Sequence, residues 1–190
     1  EQFVNEISSL LKSNHRQFIS KGLSISVNGT HLDATDLYMS FDNKIRPGVD
    51  VLTFGTKPAK KITVRIVVGL GRSSPREAGW NVICNGRVVL EHDTEETTGW
   101  GVVERERIPR FHNQFARFRG IVSFDCRDAG LLPWNTTKNN VNQDNPIWQK
   151  TFQRMVEMMR PVIDFLNELD QDIDDFSREE SPLLDVIEKA

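Results

Sequence analysis

One lysine stands in a run of threonines and asparagines, "GLLPWNTTKNNV", at residues 130–141. A lysine ammonium is a compact charge with three donors, suited to a phosphate oxygen, and neighbouring Thr and Asn side chains can hold a turn in shape. On spacing alone, a solvated loop lysine is the simpler reading of Lys138. A second group lies just upstream. Arg105, Arg107, Arg110, Arg117 and Arg119 alternate with Phe111, Phe115 and Phe118, pairing phosphate-seeking cations with rings on which bases can stack. The alternative is that the rings pin a long loop to a sheet while the arginines are solvated or paired with Glu104 and Glu106, and this is the preferred reading.

Other chemistries find no residue set. No G-x-S-x-G elbow is present, and no thiol has an activating histidine beside it in the sequence. Cys84 and Cys126 sit singly in apolar runs, as reduced core thiols do. His15, His31, His92 and His112 lack zinc-site spacing, so no metal site is expected. Asp125 and Asp128 read as capping or solvated carboxylates. The "GLGR" at residues 69–72 lacks the remainder of any phosphate-loop motif.

These residues need a frame, and 190 residues with 38% hydrophobic and 27% charged content can bury one sizeable core. A net charge of −3 gives no overall attraction to nucleic acid. No apolar run reaches the ~20 residues of a membrane span, and no basic-then-apolar leader opens the chain, so a cytoplasmic protein without membrane contact is expected. The chain begins with Glu1 already inside a helical period, Phe3, Ile7, Leu10, Leu11 and Phe18, as a piece of a longer protein would.

The first helix should stop near Lys21–Gly22, because glycine commonly follows a helix end. Asn28–Gly29 and Asn85–Gly86 each lie between β-rich runs and predict two-residue hairpins. "VDVLTFG" and "KITVRIVVGL" predict an adjacent strand pair, residues 92–119 a long excursion, and "GIVSFDC" at residues 120–126 an apolar strand. Asn145–Pro146 predicts a capped helix start. That helix carries Trp148, Phe152, Met155, Met159, Ile163 and Leu166 on one face, with a kink or break expected at Pro161. Ser181–Pro182 should open a last short helix. The expected fold is α+β, a mixed, mainly antiparallel sheet of five to seven strands with helices on one face. It divides into a connecting helix at residues 1–22, an α+β domain at 23–145 and a helical segment at 146–190.

Two stretches, "CNGRVVL" (84–90) and "GIVSFDC…LLPWNTTKNNV" (120–141), together resemble the transducer, or second, domain of the GHKL ATPase superfamily. That superfamily includes gyrase B, MutL-type mismatch-repair proteins, MORC-type proteins and heat-shock chaperones. MutL-type members carry a "VNGR" strand and later a "VHPTKxEV" loop; MORC-type members carry "NNRLIK" and "PTHNKQDF". Asn85, Gly86 and Arg87 match the first element, and Pro133, Thr137, Lys138 and Val141 the second, with Asn140 where MutL-type members have Glu. The start of the chain and "LSISVNGTHLD" resemble the segment joining the two domains in bacterial MORC-like and chaperone-like ATPases.

The resemblance implies an ATPase transducer. Lys138, with Thr137 beside it, would contact the γ-phosphate held by an upstream ATP-binding domain of the same protein. ATP and Mg would belong to the parent protein, and no cofactor to this chain alone. The Glu/Asn helix and D-x-G-x-G of the nucleotide domain are absent from these 190 residues, so the chain alone is not expected to be a complete enzyme. A homodimer and DNA are the further partners implied. The competing expectation is a nucleic-acid-binding module built on the Arg/Phe segment.

Overall fold

A computed structural model describes residues 2–34, 37, 39, 46–102 and 108–179, with side chains of the last helix up to Gln171. Helix α1 (Gln2–Ser20) is followed by two short strands, β1 (Ser26–Val27) and β2 (Thr30–His31). Strands β3 (Gly48–Phe54), β4 (Ile62–Leu70), β5 (Gly79–Cys84), β6 (Arg87–Asp93) and β7 (Phe118–Cys126) come next, and α2 (Pro146–Glu179) closes the described chain. The class is α+β, as expected from the order of patterns.

Both Asn-Gly turns close hairpins. Asn28 and Gly29 adopt φ of 49° and 79°, and Asn85 and Gly86 adopt 45° and 81°, the left-handed pairs whose twist matches that of the flanking strands. The five-stranded sheet has the order β3-β4-β7-β5-β6. Strand β7 pairs antiparallel with β4 and parallel with β5, so it enters between two strands that precede it in sequence. Trp80 lies opposite Gly120 in that parallel pair, and a Cβ at position 120 would stand 2.4 Å from the indole. Only glycine fits under the ring.

Strand alternation sends Ile62, Val64, Ile66 and Val68 of β4 and Val122 and Phe124 of β7 into one buried layer. Helix α2 lies across it. Its residues Trp148, Met155, Met159, Ile163 and Leu166 are buried in the same cluster, and Phe152 packs on it half-buried. The Asn145 carboxamide accepts from the Ile147 and Trp148 amides, at 2.8 and 3.4 Å, and Pro146 occupies the first helical position.

Pro161 does not break this helix, which runs through it as one element of 34 residues. A mid-helix proline removes one N–H donor and crowds the preceding turn. Here it faces solvent, while Met159 and Ile163 on either side bury their side chains against the sheet and hold the two halves in line. The Ser181–Pro182 helix start lies outside the described residues.

Helix α1 packs on the β5–β6 hairpin. Phe18 and Gln17 close over Gly86, and the buried Arg16 guanidinium donates to the Glu91 carboxylate, which also accepts from the Ser13 hydroxyl. Next to this pair, His92 holds a φ of 50°. Burial pulls its pKa below the usual 6.5, with Arg16 and Arg119 acting the same way and Glu91 and Glu77 opposing. Its proton is therefore held more weakly in the folded chain than in the unfolded one. Stability is complete above pH ~6.5 and falls as the pH drops towards the lowered folded value. Melting temperatures between pH 7.5 and 5 should decline in the native chain, and decline less in His92→Asn.

Candidate functional site

Residues 133–142 form a tight, hairpin-like loop with Lys138 at its apex. Trp134 bridges Val141, the Asn135 amide donates to the Asn140 carbonyl at 2.9 Å, and the Asn142 amide to the Pro133 carbonyl at 2.8 Å. Inside this ladder the polar side chains close the tip. The Asn135 carboxamide donates to Asn139 Oδ1 at 2.9 Å, and the Asn139 amide donates back to Asn135 Oδ1 at 3.1 Å. The Thr137 hydroxyl bonds Asn139 Oδ1 at 2.6 Å and lies 3.2 Å from Asn135 Oδ1. Thr137 is thus engaged in shaping the loop, and nothing it touches in this chain is a phosphate ligand.

Lys138 is exposed and has a φ of 54°. A residue with a Cβ held in the left-handed region costs about 1–3 kcal/mol and persists where its surroundings impose it. Two things impose it here. The Lys138 amide donates to the Asn135 carbonyl at 3.0 Å, and the Lys138 carbonyl accepts from Arg87 Nε at 3.3 Å. Its ammonium sits over the Trp134 ring, 4.6 Å from the centroid, within cation–π range.

The second bond joins two stretches some fifty positions apart, and Asn85 makes it geometrically available. Its carboxamide spans the end of β7, donating to the Cys126 carbonyl at 2.8 Å and accepting from the Cys126 amide at 2.9 Å, while its own amide donates to the Phe124 carbonyl at 2.8 Å. Gly86 makes the turn beneath α1. Arg87 then starts β6 beside the lysine loop. Each residue of Asn85-Gly86-Arg87 therefore has a distinct structural task, and all three position the strand end from which the loop departs.

The same end of the sheet is rich in cations. The β3–β4 connection emerges there with exposed Lys57, Lys60 and Lys61, and Arg127 follows β7 directly. Asp128 is turned to the chain, accepting from the Gly130 amide at 3.2 Å. Two clefts, of about 580 Å³ between residues 96–97 and α2 and about 400 Å³ between β3–β4 and α2, are not lined by Lys138. The lysine projects from the surface and lines neither cleft.

The Arg/Phe segment is placed differently from a stacking surface. Phe115 and Phe118 are buried and Phe111 is half-buried, all three against the buried Trp100, with centroids 5.8, 5.2 and 5.1 Å away. A base needs an open ring face, and these rings spend theirs on the core. Arg119 is also interior, donating to the Ala116, Phe118 and Arg72 carbonyls and pairing with Glu77 at 3.1 Å. Arg110 and Arg117 are exposed, and Arg105 and Arg107 lie outside the described residues. The pinning role weighed in the sequence is the one these contacts display.

Cys84 and Cys126 are free, buried thiols. Burial pushes Cys84 up to about 12, with Asp125 adding to the shift, so it is not a thiolate nucleophile at neutral pH.

No protein-family model matches the chain, and no curated protein matches it. Among solved structures it is similar to the B subunit of the DNA gyrase from Myxococcus xanthus, with 12% identity and a TM-score of 0.34. The likeness covers 61% of this chain and 37% of that one. The match spans little more than a third of the gyrase subunit, and its low score leaves the functional reading to the loop itself. No helix among the described residues is long and apolar enough to cross a membrane.

Proposed function

We propose that this chain is a transducer-type domain of an ATP-driven protein. In it Lys138 carries a γ-phosphate contact from the loop apex to a nucleotide-binding domain upstream in the same protein. The observation that supports this most is the hydrogen bond from Arg87 to the Lys138 carbonyl. It unites the two motifs behind the resemblance around a single strained, exposed cation.

What the residues can supply is limited and specific. An exposed ammonium fits one phosphate oxygen, and the cationic sheet end around it favours an anion's approach. The adenine pocket and the Mg ligands belong, in this reading, to the upstream domain. Holding a γ-phosphate through Lys138 stabilises one arrangement of the two domains, and hydrolysis withdraws that differential contact. Closure or homodimerisation would follow the ATP cycle.

The supporting bond can be tested in the full-length protein. Arg87→Ala should lower ATP turnover roughly two- to tenfold, the range to which a net hydrogen-bond contribution of about 0.5–1.5 kcal/mol converts. Unchanged turnover would show that the motif residue has no bearing on the lysine.

A further inference from the structure

Trp134 has no task in the phosphate contact as described, yet it makes the closest approach to the charge that does. Its ring is half-buried and packs against the core cluster, and its backbone is bridged to Val141. The platform is therefore fixed, while the ammonium on it, 4.6 Å from the centroid, belongs to an exposed side chain. A free lysine stem samples many rotamers, and holding it at one place before an encounter removes that entropy loss from the binding step.

We propose that Trp134 is a positioning residue for Lys138, holding the ammonium on its indole face until a phosphate oxygen is presented. This rests on the phosphate-contact reading of Lys138 for its purpose, though not for the contact itself. An exposed cation–π contact is weak, whereas an ammonium–phosphate hydrogen bond is charge-assisted. The ring therefore keeps the charge in the absence of phosphate and yields it in its presence. Arg87 and Trp134 divide the work: the guanidinium fixes the backbone of the apex and the indole fixes the end of the side chain.

The test uses this chain and two variants, Trp134→Leu and Trp134→Phe. In the native chain the Lys138 Hε protons should resonate upfield of those of Lys57, Lys60 and Lys61, through the indole ring current. Acylation of Lys138, measured relative to Lys60 in the same sample, should rise roughly two- to fivefold in Trp134→Leu, the bias that an exposed cation–π contact supplies. Trp134→Phe keeps an aromatic packing residue with a weaker face, and should give an intermediate rate. Normalising to Lys60 separates loss of the ring from general unfolding, which would raise every lysine together. Lys138 protons at ordinary positions in the native chain, or equal relative acylation in all three proteins, would overturn the inference while leaving the phosphate reading standing. That reading fails separately, if Lys138→Ala leaves ATP turnover of the full-length protein unaltered while the ring shift remains.

Discussion

Trp100→Ala is expected to destabilise the chain by about 3–5 kcal/mol, the usual range for deleting a large buried aromatic. The residue is buried at 1% exposure, and Phe111, Phe115 and Phe118 converge on it. Two of the three rings approach nearly perpendicular, at 86° and 85°, the edge-to-face geometry that adds to simple burial. Removing the indole withdraws the partner that fastens the excursion after β6 to the sheet. For a domain of this size the loss corresponds to a fall in melting temperature on the order of 10 °C. Limited proteolysis should then cut first within residues 92–119. Trp100→Phe should recover most of the stability, because it keeps a ring and discards an indole N–H that no described residue accepts. A melting temperature within a degree or two of the native value for Trp100→Ala would mean that the Arg/Phe segment is held by something else. It would also reopen the use of its rings as a binding surface.

That segment shows where sequence pattern loses its grip. Local signals were legible: an Asn-Gly pair demands left-handed backbone whatever surrounds it, and both pairs closed their hairpins. The helical period from Trp148 to Leu166 named the buried face of α2, because one side of a helix must meet the sheet. The insertion of β7 between β4 and β5 was not legible, since nothing in residues 118–126 states which neighbours that apolar strand will take. Alternating Arg and Phe are equally ambiguous. A phenylalanine has the same chemistry whether it faces a base or Trp100, and the choice is made by a residue outside the segment.

Pro161 misleads for a related reason. The local penalty of a helix proline is fixed, but the packing of Met159 and Ile163 that outweighs it is set by the sheet. At the site, the motif residues and the polar composition of the loop could be read directly. The Arg87–Lys138 bond, the left-handed apex and the indole beneath the ammonium could not. Each depends on how two strand ends meet.

Lys138→Ala should have opposite consequences for folding and for activity. In this chain the side chain is exposed and its contacts are one cation–π approach and the solvent. Its removal should alter stability by no more than about 0.5–1 kcal/mol. The left-handed apex is strained for alanine as for lysine, so backbone strain contributes little to the difference. In the full-length protein the same substitution removes a charge from the place where negative charge develops as the γ-phosphoryl group leaves. Losses of that kind lower turnover by about one order of magnitude or more.

The deciding measurement is the pair taken together: the melting temperature of this chain and the ATP turnover of the full-length protein, each with and without Lys138→Ala. The account predicts a melting temperature within about 4 °C of the native value and turnover reduced at least about tenfold. A large fall in melting temperature with unaltered turnover would show that Lys138 serves only to brace its own turn.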